Sequence, residues 1–354
     1  MRKWIALLLA LVMALSLVAC GEKAPASDDG ATVPEVTEDK EVTLRYATHH
    51  SSTSETGKTL QAWLDDMTAK SNGSIKVDPY WQGSLVAPIN AYAETSAGVT
   101  DLMTQNPGME TDHFILETAI TYMYCGQLPY AEQVAVAHEL WEQVPDWQAE
   151  FSDVEVLGFG AAGNNFCLLT TTPIKSLADL KGKDIRVMEQ WAFDLFLELG
   201  ANPIKMPLSE MYEGLQKGVI DGVLLTKGHY VAENLTEYVS YITDIGITPA
   251  PCVWTYINKD CFNGLSANQK EIIKSCGTAS EQALIAAADD QCANSEKVAK
   301  ENGVEIFTFS AEDVATITKI AQENAKKQVA ALDAAGYDGT GIYNTLQSLI
   351  EAHK

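Results

Sequence analysis

Between residues 42 and 103 the hydrophobic period of this chain switches from two residues to a helical repeat and back, a pattern best buried by a layered α/β sheet. Val42, Leu44, Tyr46 and Thr48 alternate with Thr43, Arg45 and Ala47, which predicts a strand. Ser52 and Glu55 then fit a capping box. Leu60, Trp63, Leu64 and Met67 line one helical face, and Asn72-Gly73 closes that helix. A second strand is expected over 75–77, a helix over 88–98 and a third strand over 99–103. The order β-α-β-α-β implies a mostly parallel sheet flanked by helices.

The pattern then repeats. After a helical stretch near 131–143, strands are expected over 154–158, 166–170 and 185–187, helices around 193–199 and 210–217, each ended by a glycine, and a strand over 219–225. Ser266 and Gln269 make another capping box, and no proline interrupts the chain before Gly303. A helix of ~36 residues, or ~54 Å, is therefore expected there. That is longer than one domain is wide, so it would brace two lobes, with a kink expected at Gly277. The ~310 residues after the N-terminal region also exceed what one core usually organises.

Arg2 and Lys3 precede an apolar run from Trp4 to Leu15, the pattern of a secretory signal. The run is shorter than the ~20 apolar residues a spanning helix needs. It ends in Leu17-Val-Ala-Cys20-Gly, which resembles a bacterial lipobox. Residues 1–19 would then be removed and Cys20 would carry lipid; the alternative is an ordinary cleaved signal with an incidental cysteine. Residues 20–40 hold almost no large apolar side chain and read as a tether with a reach of roughly 25 Å. The expected location is outside the cell, anchored to the outer face of the cytoplasmic membrane.

The net charge of −24 argues against nucleic acid or an anionic lipid surface as partner, without excluding a small anion in a locally positive pocket. Six cysteines follow Cys20, and none forms a CxxC pair. Cys276 and Cys292 share the long predicted helix at ~24 Å of rise, too far to bond. No disulfide is expected.

Gly158, Gly160 and Gly163 match GxGxxG, with Asp179 downstream. A dinucleotide site needs a helix to open within the glycines, whereas 164–169 reads as β and Pro173 follows. A crossing between two lobes accounts better for these glycines. The six histidines form no HExxH and no zinc spacing, and there is neither a GxSxG elbow nor a phosphate-binding loop. His49-His50 follows the first strand, and their side chains are expected to diverge into solvated or hydrogen-bonding roles. No catalytic residue, metal or cofactor is expected.

Arg186 differs in kind. With Ile185 and Val187 pointing one way along a strand, Arg186 points the other, and a guanidinium can grip a carboxylate through two parallel hydrogen bonds. From spacing alone, a structural ion pair or an exposed strand face is at least as good a reading.

The surrounding residues add a resemblance. Ser176-Leu-Ala-Asp-Leu-Lys-Gly-Lys-Asp-Ile-Arg186-Val, Leu199-Gly-Ala-Asn-Pro203, Ser209-Glu-Met-Tyr212 and Leu215-Gln-Lys-Gly-Val-Ile-Asp-Gly222 resemble the solute-binding subunits of tripartite ATP-independent periplasmic (TRAP) transporters. Leu44-Arg-Tyr-Ala47, Asn72-Gly-Ser-Ile75, Gln82-Gly-Ser-Leu85 and Gly98-Val-Thr-Asp101 fit the same family more weakly. The resemblance implies a two-lobed, periplasmic-binding-protein-like α/β fold that closes on an organic anion, with Arg186 pairing its carboxylate. It also implies small and large membrane permease subunits as partners.

The lobes are expected at 41–163 plus about 252–290, and at 164–251 plus about 291–354. The family block often carries a second arginine on the preceding strand and an Asn after its Asp-Gly; here Asn165, Phe166 and Cys167 bring no arginine and Leu225 takes the Asn position. A less polar pocket follows, suited to one carboxylate on an apolar or aromatic body. Further wall candidates beyond strand ends are His49, Trp81, Gln105 and Asn106 from one lobe, and Trp191, Leu208 and Trp254 from the other lobe or the crossings. Two rival functions stay open: a ligand-binding subunit for a membrane sensor kinase, and an exported α/β enzyme.

Overall fold

The computed structural model describes residues 39–124, 128–160, 166–247, 250 and 253–354. The expected signal, Cys20 and most of the tether lie outside these residues, as do Cys125, Gly163, Asn165 and Cys252. Two sheets organise the rest. In the first, the strand order is β2 (Ile75–Tyr80), β1 (Val42–Thr48), β3 (Leu102–Gln105), β10 (Val253–Asn258), β4 (Val154–Gly160). Helical crossovers make β1, β2 and β3 parallel, while β10 runs antiparallel to both β3 and β4.

Local chemistry shifts some expected boundaries. The first helix, Glu55–Lys70, is capped by Ser54 rather than Ser52: the Gly57 N–H donates to Ser54 Oγ at 3.0 Å, which makes Glu55 the first helical residue, too early to close a capping box. The expected helix over 88–98 divides into a single turn at Pro88–Asn90 and the helix Ala91–Ser96. There the Tyr92 and Ala93 N–H groups donate to the Glu110 carboxylate.

The second sheet runs β11 (Glu305–Thr308), β9 (Tyr241–Asp244), β5 (Phe166–Thr170), β8 (Gly222–Thr226), β6 (Asp184–Arg186), β7 (Asn202–Ile204). Strands β6, β7 and β8 are parallel, and β5 is antiparallel to its neighbours β8 and β9. Side-chain alternation serves two cores. Phe166, Leu168, Ile185, Val187 and Leu224 pack on one face, and Cys167, Leu169, Val223 and Leu225 on the other.

The long helix is Ala267–Glu301, 35 residues, opened by the expected capping box of Ser266 and Gln269. It packs on the helix Glu55–Lys70 and on β4 from the first sheet's side, and on the short helix His229–Ala232 from the second's, so it braces both lobes. Gly277 has a packing role there: a Cβ at this position would lie 2.6 Å from the Leu157 carbonyl oxygen of β4. Asp39, expected within the tether, accepts from Ser266 Oγ at 2.5 Å and from Asn268 Nδ2 at 2.6 Å, which ties the chain to the start of this helix.

The sequence places all of 291–354 with the second lobe, and the contacts are more divided. Ile317 of the helix Ala311–Ala335 enters the second sheet's core, whereas Leu332 of that helix and Ile342, Leu346 and Ile350 of the last helix, Gly339–Ala352, join Phe114, Met123 and Trp147 on the first. Gly158 and Gly160 belong to β4, and the next described element is strand β5 rather than the helix a dinucleotide site requires. Cys276 and Cys292 share the long helix, and Cys261 and Cys276 are free thiols.

Candidate ligand-binding site

The carboxyl ends of the parallel strands carry the polar groups that matter. Arg186 ends β6, in register with Ile204 of β7 and Val223 of β8. Its neighbours Ile185 and Val187 enter the core beside Trp191, so the guanidinium leaves from the opposite face, as the alternation predicts. Arg186 is 4% exposed. Its Nε donates to the Met206 carbonyl at 3.0 Å, which fixes the orientation of the planar group. Among the described residues no carboxylate comes within ion-pair distance of it, although Glu189 and Glu233 are near enough to act on its charge. Burial lowers its pKa and the two carboxylates oppose that, leaving a cation at any physiological pH.

Histidines from both sheets converge on this charge. His49 follows β1, and His229 follows β8. Burial pushes His49 down to about 4; nearby Gln105 opposes the shift, and His229 and Arg186 add to it. Burial also pushes His229 down to about 4, against hydrogen bonding to Thr226 and with repulsion from Arg186. His50 is lowered by burial and by His49. All three rings are neutral near pH 7, so Arg186 carries the positive charge of the group. The His49 and His50 rings do not diverge as expected; their centroids lie 4.0 Å apart at 36°. The turn after β1 bends back, with the Gln82 N–H donating to the His50 carbonyl and the Gly83 N–H to that of Thr48, and this holds the two rings side by side.

Between residues that follow β3 and β6 is a small cavity of about 20 Å³, room for a single water. It is lined from the first sheet's side by Asn106, Met109, Thr118 and Thr121, and from the second's by Met188, Glu189, Gln190 and Trp191. Several buried polar atoms around this junction have no hydrogen-bond partner: His49 Nδ1, His50 Nε2, Gln105 Oε1, Thr118 Oγ1 and Glu189 Oε2. Gln105 influences His49 without reaching hydrogen-bond geometry, since both of these atoms stay unpartnered. Buried polar atoms are nearly always satisfied, so a cluster of exceptions contributed by two sheets marks a place built for something else to bind.

The other expected wall residues divide. Asn106 and Trp191 line the cavity, and Phe166 packs on Trp191 with ring centroids 5.7 Å apart. The Asn106 side chain also caps the turn Pro107–Met109, accepting from the Gly108 N–H. Leu225 and Leu208 sit on the sheet face from which Arg186 emerges. Trp81 packs edge-on to Tyr46, with ring centroids 5.9 Å apart. Trp254 is core: 1% exposed, it stacks on Phe151 at 4.3 Å and 7°, because its position on β10 faces the aromatic cluster of Trp141, Trp147 and Phe159. Glu189, Glu233, Thr118 and His229 were not singled out as site residues from the sequence. The signal available for Glu189 and His229 was their place, each three residues beyond the end of a parallel strand.

Comparisons with known proteins give the family and the fold of the chain. The family model for bacterial extracellular solute-binding protein, family 7 (DctP), matches residues 46–331. The ectoine/5-hydroxyectoine-binding periplasmic protein UehA of Ruegeria pomeroyi is 25% identical over 332 residues, covering 88% of this chain and 91% of the relative. A TRAP solute-binding protein from a marine metagenome, described as specific for aromatic acid ligands, superposes with TM-score 0.76 at 23% identity over 89% of this chain and 100% of that one. One from Rhodoferax ferrireducens, in complex with copurified benzoate, gives TM-score 0.75 at 22% identity over 88% and 98%.

Proposed function

The chain belongs to bacterial extracellular solute-binding protein family 7, and from that premise we propose that Arg186 grips the carboxylate of a small organic acid with an apolar or aromatic body. The protein is an extracytoplasmic transport component rather than an enzyme, and its partner is a membrane permease of the TRAP type. No finding favours a sensor kinase as that partner.

The observation that carries the ligand reading is the buried guanidinium at the end of β6, fixed through Nε and without a carboxylate in ion-pair range among the described residues. Neutral His49, His50 and His229 leave it the site's attractor for an anion. Leu225 shares the sheet face of Arg186, and Trp191 lines the cavity with Phe166 packed on it, so apolar surface stands where additional charge would otherwise favour a more polar solute. The marine metagenome protein with aromatic acids and the Rhodoferax protein with benzoate support an aromatic acid. A Chromohalobacter salexigens protein with bound D-glucuronate represents the polar alternative.

Binding proceeds by hinge closure. A ligand touching groups from both lobes stabilises the closed arrangement by its differential affinity for it. A cavity of about 20 Å³ is too small for any such acid, so entry requires the lobes to part. The lobes divide between β4 and β5 and again between β9 and β10, with the long helix as brace. Lipid on Cys20 and the tether that follows it, up to the attachment at Asp39, hold the protein at the outer face of the cytoplasmic membrane, within reach of the permease.

A thermal-shift screen of aliphatic, aromatic, 2-oxo and dicarboxylic acids identifies the ligand, since an acid at one hundred times its Kd stabilises by about 2.7 kcal/mol. Titration calorimetry of Arg186→Ala with that acid then tests the clamp. Truncating a desolvated charge partner costs about 2–5 kcal/mol, hence a loss of roughly thirtyfold or more. Unchanged affinity in the folded variant refutes the role of Arg186.

A further inference from the structure

The Glu189 carboxylate does none of the work usual for its position. It is the N-cap residue of the helix Gln190–Glu198, yet its side chain makes no capping hydrogen bond. Arg186 lies three residues earlier, yet no ion pair forms within 4.0 Å. Its Oε2 is buried without a partner. The same side chain lines the cavity shared by the two sheets, opposite Thr118, whose hydroxyl oxygen is also buried and unpartnered.

Resting on the carboxylate-binding reading above, we propose that the solute is amphoteric: its carboxylate pairs with Arg186, and a protonated amine on the same molecule donates to Glu189 Oε2 and Thr118 Oγ1. The unpartnered acceptor oxygens at the junction motivate this. An ionised Glu189 is acceptor-only, and the Gln105 side chain presents an unpartnered acceptor oxygen to the same junction. A simple acid brings further acceptors and leaves the Glu189 and Gln105 oxygens unsatisfied. Glu233 is a second carboxylate acting on Arg186. Burial raises the pKa of both Glu189 and Glu233 and the Arg186 charge opposes that, and a zwitterion adds no net charge while offering opposite poles to the two ends of the site. The apolar side chains of Phe166, Trp191 and Leu225 would cover the rest of the solute. An amino acid with an apolar or aromatic side chain has this chemistry.

The test uses calorimetry on the purified full-length protein with matched pairs that differ by the amine alone: phenylalanine and hydrocinnamate, leucine and isocaproate, proline and cyclopentanecarboxylate. The expected result is that the amino acid of at least one pair binds at least tenfold more tightly than its deaminated partner, and that Glu189→Gln weakens it by about tenfold or more, the loss expected for a hydrogen bond between charged groups. An acid that binds as tightly as its amino counterpart overturns the inference and leaves the carboxylate reading intact. Unchanged amino acid affinity in Glu189→Gln overturns the role of Glu189. If no member of any pair binds, the inference falls, and the wider acid screen judges the carboxylate reading separately. Binding of phenethylamine without its carboxylate defeats both.

Discussion

Glu117 offers a quantitative test of the packing described above. Its side chain is 1% exposed within the aromatic core of the first sheet, where the Trp147 indole donates to Oε2 at 2.9 Å. Oε1, the Tyr124 hydroxyl and the Trp254 indole nitrogen are all buried nearby without partners. Burial raises the Glu117 pKa to about 8; the Trp147 hydrogen bond opposes this and the neighbouring Glu150 reinforces it. The carboxyl is therefore protonated in the folded protein at neutral pH and ionised in the unfolded chain.

A raised folded-state pKa on an acid means that the folded state holds a proton the unfolded state releases. Stability is greatest below the unfolded value near 4.5 and is lost as pH climbs to about 8, where the folded group ionises too. At about 1.4 kcal/mol per pH unit, the three units from pH 4.5 to 7.5 amount to ~4 kcal/mol. Glu117→Gln keeps an acceptor for Trp147 and removes the titration, at a loss of ~1 kcal/mol for the altered hydrogen bond. The variant should be more stable at pH 7.5 by ~3 kcal/mol, or roughly 6 °C in Tm at about 2 °C per kcal/mol for a chain of this size. Scanning calorimetry of both proteins from pH 4 to 9 gives the difference curve, which should rise between about pH 4.5 and 8 and then level. A difference that stays flat with pH, or a variant less stable at pH 7.5 than at pH 5 relative to the parent, refutes a protonated Glu117.

Two further outcomes concern the brace and the anchor. Gly277→Ala improves helix propensity by about 1 kcal/mol, yet its Cβ meets the Leu157 carbonyl, so urea denaturation should show a net destabilisation of ~1–3 kcal/mol. A stabilised variant would mean that the long helix shifts freely on β4. Cys20→Ser should abolish incorporation of labelled fatty acid and move the protein from the membrane fraction to the soluble extracytoplasmic one; continued membrane retention would refute lipidation at that residue.

Most of the core architecture was legible because it rests on local pattern. The strand through Phe166 and Thr170, the capping box at Ser266 and Gln269, and the long helix after it follow from side-chain alternation and cap chemistry within a few residues. Non-local features were not legible. The insertion of β10 between β3 and β4 depends on pairing across the chain, such as the Thr104–Thr255 contact between hydroxyls at 3.0 Å, which no window of sequence contains. At the candidate site, the face from which Arg186 emerges could be anticipated because a charged residue between Ile185 and Val187 breaks an apolar strand. Trp254 could not be placed, since on a six-residue strand buried throughout, period alone does not separate core from cleft. Glu189 was hidden for a different reason: a glutamate before a helix reads as an ordinary cap, and only its missing hydrogen bonds set it apart.

The place of β10 also bears on how the chain reaches its folded state. Among the described residues β4 pairs with β10 alone, and β3 meets β10 on its open side. The Thr104–Thr255 pair is separated by 151 positions, with the entire β5 to β9 region made in between. During synthesis the first sheet must wait, with β3 and β4 unpaired on these edges, until the second lobe has emerged. Closure of so long a loop is slow, and unpaired edges invite pairing with other chains. Truncated or stalled chains that end before Val253 should therefore be the aggregating species of this protein, even where every residue of β1 to β4 is present.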